Sequence, residues 1–136
     1  MTPLQFVTKP DNIFYLNTES KIKKENPALK SLVISNIYGL EMIDLNKIIY
    51  FKAESNYTRI FMLEDRVVLV PITLKKYETK LESTFIRIHK SYLINPLYIR
   101  SFCLKNSKLL LHNNSEIPVS RRKKSVLKAY FKSVKI

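Results

Sequence analysis

Three short polar segments interrupt the apolar runs of this sequence, and their residue types suit the recognition of phosphate and base edges. The first is ESNYTR at 54–59, which carries Asn56, Tyr57, Thr58 and Arg59. The second is RIHKSYLIN at 87–95, with His89, Lys90 and Ser91. The third lies within EIPVSRRKKSVLKAYF at 116–131, where Ser120 leads into Arg121, Arg122, Lys123 and Lys124. Arginine presents a planar fork of donors that matches guanine O6 and N7 or a phosphate, so two consecutive arginines say more than two lysines. Taken singly, each segment also reads as ordinary structure: a turn at 54–56, a histidine serving as a structural hydrogen-bonder, and Asn95 as a turn residue before Pro96.

The third segment fits that ordinary reading least well. Val126, Leu127, Tyr130, Phe131 and Val134 fall on one helical stripe, with Lys128, Lys132 and Lys135 largely outside it, which predicts a closing helix from Ser120. Its first turn is then Arg121 to Lys124, four cations at the positive end of a helix dipole that favours acids. The repulsion is small, a few tenths of a kcal/mol per unfavourable pair, roughly. With Ser120 as cap, the free N–H groups and the cationic turn describe an anion site that a phosphate would complete.

The elements that must position these segments are short. Alternating apolar and β-branched residues predict strands at SLVISN, GLEMID, KIIYFKAE, YTRIFML and RVVLVP. Their joints, ESN at 54–56 and ED at 64–65, use short polar side chains that tolerate left-handed backbone. TLKKYETKLESTF then shifts to a helical period, with Leu74, Tyr77 and Leu81 on one face and Thr73 as a cap. Strands resume at FIRIHKSYLI, where Lys90 and Ser91 sit at the strand end, and continue at YIRSFCL, KLLLH and EIPV. The order is β-rich, one helix, β-rich, one helix, which predicts a mainly β fold with small α content.

Composition narrows the function. The chain has 136 residues, with 24 Lys and Arg against 11 Asp and Glu; from Ser31 onward the balance is 19 against 8. Such a field concentrates polyanions, and downstream of Glu116 there are seven cations and no acid. One compact domain is expected over 31–136, with residues 1–30 as an N-terminal extension or linker around the Lys-rich ESKIKKENP. Gly39 is the only glycine, which removes the P-loop and the dinucleotide fingerprint. Two histidines and Cys103 do not make a zinc site, and nothing resembles a nucleophile elbow. No cofactor, metal, small-molecule substrate or catalysis is expected. Cys103, in the apolar IRSFCL, reads as a small core hydrophobe. No secretory signal is visible, and the longest uncharged run, SLVISNIYGL, is about half of what a membrane span needs, so a cytoplasmic protein without membrane partners is the simplest reading.

IIYFKAESNYTRIFML, PITLKKYETKLESTFIRIHKSYLINPLYI and LLLHNNSEIPVSRRKKSVL together resemble the LytTR DNA-binding domain of bacterial response regulators, over about residues 32 to 131. The most specific pieces are F-x-R-x-H-[RK]-S-Y-L-x-N at 85–95 and IPVSRR at 117–122. The resemblance implies elongated antiparallel β-sheets with small flanking helices. It also implies that loops between strands read double-stranded DNA, entering successive major grooves on one face of a bent duplex, with two copies on repeated sites. Carried over by position, the reading loops fall on Asn56, Tyr57, Thr58 and Arg59, on His89, Lys90 and Ser91, and on Ser120, Arg121, Arg122 and Lys123. On that footing Arg121 and Lys90 are assigned to base edges, Arg122 and Lys123 to phosphate, and Tyr57 or Thr58 to sugar, phosphate or a thymine methyl. His89 would donate to phosphate or brace its loop.

Two departures stand out. The family's first loop often carries glycine where Ser55 or Asn56 stands here. Its members usually follow a receiver domain, which the roughly 30 residues ahead of this one are too few to form, so the chain reads as free-standing or as a piece of a larger regulator. The alternatives are a module that binds DNA or RNA without sequence preference, and a membrane-surface or protein-docking module built on the final helix.

Overall fold

The computed structural model describes residues 30–135. The extension read over 1–30 lies outside the described residues apart from Lys30. The described chain is mainly β with two helices, in agreement with the expected fold class. β1 (Ser31–Asn36) and β2 (Gly39–Asp44) form a hairpin of their own. β3 (Ile48–Glu54), β4 (Tyr57–Met62) and β5 (Val67–Val70) follow, then α1 (Leu74–Lys80), β6 (Ile86–His89) and β7 (Tyr92–Ile94). β8 (Ile99–Cys103), β9 (Lys108–Leu111), β10 (Glu116–Pro118) and α2 (Lys124–Val134) complete the order. All strand pairs are antiparallel, in a five-stranded sheet of order β5-β4-β3-β7-β6 and a three-stranded sheet of order β10-β9-β8.

β3 explains why these layers exist. Its IIYF run is buried throughout, which demands apolar cover on both faces of the central strand. On one face Phe51 joins Leu32, Ile34 and Ile43 of the β1–β2 hairpin and Leu74, Tyr77 and Leu81 at α1. On the other, Ile49 and Tyr50 join Leu109, Leu111 and Ile117 of the three-stranded sheet and Leu127 of α2.

Within FIRIHKSYLI the strand ends at Lys90 and Ser91 as expected, and the chain turns there into the β6–β7 hairpin, with a register shift between Arg87 and His89. Three expectations change. Arg121–Lys123 form a 3₁₀ turn and α2 begins at Lys124, so three of the four cations stand ahead of the α-helix rather than in its first turn; Ser120 makes no side-chain capping bond. Only Leu127 of the predicted stripe is fully buried, with Tyr130 and Phe131 half-buried and Val126 and Val134 exposed, because the helix rests on the sheets along a narrower line than the stripe offers. Cys103 is exposed, at the end of an edge strand.

Asn95 does more than turn the chain. Only 6% exposed, it donates through Nδ2 to the Ile48 carbonyl at 2.8 Å and the Leu45 carbonyl at 3.3 Å, accepts at Oδ1 from Leu97 N at 3.0 Å, and donates its own N–H to Ile49. It thereby ties the exit of β7 to the start of β3. The Tyr77 hydroxyl is the opposite case: buried, it has no partner among the described residues, and burial pushes its pKa up to about 12.

These two sites predict opposite outcomes in urea denaturation. Asn95→Ala should lower the unfolding free energy by about 2–4 kcal/mol, since it orphans buried carbonyls. Tyr77→Phe should cost less than about 0.5 kcal/mol or add stability, since it removes an unsatisfied group and orphans nothing.

Candidate nucleic-acid interface

The register of the five-stranded sheet brings the three polar segments to one edge. Lys52 lies opposite Tyr92, and beyond that pair the Ala53 N–H donates to the Ser91 carbonyl at 2.8 Å. The β3–β4 turn and the β6–β7 turn are therefore neighbours at the same end of the sheet. The Ser120 N–H donates to the Ile88 carbonyl at 2.9 Å, which seats the third segment beside β6. Segments 54–59, 89–91 and 120–123 thus follow one another along a continuous border of main-chain hydrogen bonds.

Within this border the predicted residues differ in what they offer. Ser55 and Asn56 make the tight β3–β4 turn, Ser55 at φ 59°, and both are exposed; Tyr57 beside them is 46% exposed. Thr58 has to be corrected. It is 0% exposed and its hydroxyl donates to the Ile72 carbonyl at 2.6 Å, so its side chain has no surface for a DNA contact. Arg59 is held by Glu54 through two bonds, Nε to Oε2 at 3.0 Å and Nη2 to Oε1 at 2.6 Å. Lys90, Arg121 and Arg122 are exposed and Lys123 is half-exposed; none of these four makes an ion pair among the described residues.

The second segment is braced from within. The Ser91 N–H donates to His89 Nδ1 at 3.0 Å, which puts the proton of the neutral imidazole on Nε2. The ring also meets Tyr92 edge-on. Partial burial first, then the nearby Lys90 and Arg87 charges, hold the His89 pKa below the ordinary histidine value.

Arg87 is the residue that sequence reasoning left without a role. Its Nε donates to the His89 carbonyl at 2.8 Å, its Nη2 to the Lys90 carbonyl at 2.5 Å, and its Nη1 to Glu78 of α1 at 2.6 Å. One guanidinium therefore fixes both carbonyls of the turn that presents Lys90 and anchors it to a helix. Its place inside the F-x-R-x-H pattern was the available signal. Two lysines were also missed. Lys52 stands over the Tyr92 ring, and Lys75 of α1 faces an open cleft shared with Arg87, His89, Lys90, Ser120, Arg122 and Lys123. The cleft joins the second and third segments and carries one carboxylate, Glu78, already bonded to Arg87.

Comparison with known proteins bears on the family and the fold. The family model of the LytTr DNA-binding domain matches residues 38–132. The sensory transduction protein LytT of Bacillus subtilis (strain 168) is 30% identical over 134 residues, covering 87% of this chain and 55% of its own length, so the chain spans about half of that relative. The solved LytTr DNA-binding domain of a response regulator from Bacillus cereus superposes with a TM-score of 0.64 at 21% identity, over 76% of this chain and 98% of the other.

The environment of His89 yields a prediction. In an NMR pH titration its imidazole should titrate below the ordinary histidine value of about 6.5, with Nδ1 as the acceptor nitrogen of the neutral ring. A folded-state value below the unfolded one means that the folded protein takes up this proton less readily. The stability contributed by neutral His89 is therefore present above the unfolded value and lost as pH falls through the folded one. A midpoint at or above the ordinary value would contradict this arrangement.

Proposed function

The chain belongs to the LytTr DNA-binding domain family, and on that premise we propose that it regulates transcription by reading double-stranded DNA with the three loop segments along one sheet edge. The observation that carries this reading is their convergence there with four cations unpaired among the described residues. Arg121 and Lys90 reach base edges, where a bidentate or close donor distinguishes guanine. Arg122, Lys123 and the Nε2–H of His89 hold phosphate, and Tyr57 and Asn56 lie against sugar and phosphate at the next stretch of backbone. Arg59 joins them by exchanging Glu54 for a phosphate. Ser91 and Ser120 contribute main-chain bonds that set the spacing of the segments, and Thr58 holds the first loop from below.

Two copies on repeated sites, each entering successive major grooves, would bend the duplex toward the protein; residues 31–136 supply the reading domain and 1–30 an extension ahead of it. The reading assigns the protein to the cytoplasm, with DNA as partner and with no catalytic step, cofactor, small-molecule substrate or membrane. Among the described residues no helix is long and apolar enough to cross a membrane, and no group of three or more His, Cys, Asp or Glu gathers to hold a metal.

Selection from a random duplex library, then competition of the winner by random DNA at physiological salt, tests the proposal. A preference of about 10³-fold or more supports sequence reading, and a ladder of unrelated winners with none would reduce the protein to a non-specific basic module. Arg121→Ala should cost about 1–3 kcal/mol on the selected site and relax its sequence preference, whereas Lys123→Ala should weaken all duplexes alike and flatten the salt dependence. Arg87→Met should weaken the selected site by about tenfold or more although Arg87 touches no DNA in this reading, since the Lys90 turn loses both of its carbonyl clamps.

A further inference from the structure

A second surface lies away from the reading edge. Phe102 and Leu104, at the end of β8 and just beyond it, face Phe131 and Val134 of α2 across an open groove of about 570 Å³, with Lys128, Lys132 and Lys135 among its lining. The Phe102 and Phe131 rings stack with centroids 6.3 Å apart and form the back of the groove, while Leu104 and Val134 remain 54% and 57% exposed. Among the described residues no carboxylate lines it and none of the three lysines makes an ion pair. It shares no lining residue with the cleft at the reading edge.

We propose that this groove docks an acidic amphipathic peptide segment of a partner protein, apolar side chains on the Phe102–Phe131 floor and carboxylates on the lysine rim. The chemistry selects that occupant. A DNA backbone would satisfy the lysines and leave the exposed Leu104 and Val134 uncovered. A lipid surface would meet the lysines and the protruding Leu104 and Val134 but would not reach the Phe102–Phe131 floor at the back of the groove. Lys128 and Lys132 stand one turn apart on α2, about 6 Å along its axis, and Lys135 follows at its C-cap, a row that a helical partner can meet with acids at every third or fourth position. A helix laid in a groove, anchored by a few apolar residues and oriented by rim charge, answers both features. Because the two surfaces are separate, DNA and the partner can be held together.

The test uses the full chain as bait for a random dodecapeptide library, with winners measured by fluorescence anisotropy and mapped by amide chemical shifts. The expected winners carry two apolar anchors at helical spacing flanked by Asp or Glu. Leu104→Ser, an exposed position outside the core, should weaken them by about tenfold or more, and Lys128→Gln with Lys132→Gln by about fivefold or more, while Leu104→Ser leaves duplex DNA binding within about twofold of the parent. Shifts should fall at Phe102, Leu104 and Phe131. No enrichment over a bait-free control, winners without acids, or winners indifferent to Leu104→Ser would overturn the proposal. So would shifts centred on Lys90 and Arg121, or groove amides that respond to anionic phosphatidylglycerol vesicles and not to the peptides.

Discussion

The rest of the structure depends on a strand with no outside. Over Ile48 to Phe51, β3 is buried on both faces and flanked on both edges, by β4 and by β7. A strand in the middle of such a sandwich cannot slip by one residue without sending Phe51 into the layer shaped for Tyr50 and turning Lys52 inward, so its register is strongly specified. That register decides where the polar segments emerge. Once Lys52 lies opposite Tyr92, the two hairpin turns share one end of the sheet, and the bond from Ser120 to Ile88 adds the third segment. The candidate interface is thus a consequence of packing several residues inside it, with Asn95 joining β7 to the start of β3 at the opposite end.

Charge is then sorted by how firmly each arginine is held. The Arg59–Glu54 pair is more than a third exposed on both sides, a setting in which solvent screening leaves an ion pair weak, so Arg59 can exchange Glu54 for another anion at little cost. Arg87 and Glu78 are less exposed, and Arg87 also donates to two carbonyls, so removing it would break three contacts at once. One arginine is available to a ligand and the other belongs to the scaffold. Glu54 and Glu78, the carboxylates bonded at this border, each neutralise an arginine there and leave the lysines and the 121–122 pair to the solvent.

Much of this was legible in the sequence. The strands follow their alternation, α1 buries Leu74 and Tyr77 as its spacing demanded, and the three interruptions of the apolar pattern were visible before any fold was known. Thr58 was legible too: it stands at i, i+2, i+4 with Ile60 and Met62, on the face that packs inward, and period two alone places it in the core. The F-x-R-x-H pattern flagged Arg87 but not its clamp, because the clamp depends on the Lys90 turn folding back and on α1 arriving at the right height, and the pattern encodes neither. The start of α2 was misplaced because apolar spacing reports a face and not a terminus; the 3₁₀ turn ahead of it is set by Ser120 bonding across to β6.

The scarcity of glycine shapes how these loops behave. With Gly39 as the only glycine, left-handed backbone falls to Ser55, Glu64, Asp65, Ser107 and Asn114, all at turns between strands. Each conformation is less favourable for a residue with a Cβ than for glycine, and it persists because the strands on either side fix it. At Ser55 the exchange bears on the proposed DNA reading. A glycine there would ease the backbone but widen the states open to the tip, and those states would have to be surrendered when the loop is ordered against a duplex. A serine held at φ 59° by the flanking β3–β4 ladder has surrendered them during folding. The strain and the order are the same fact, and both are supplied by the buried strand behind the tip.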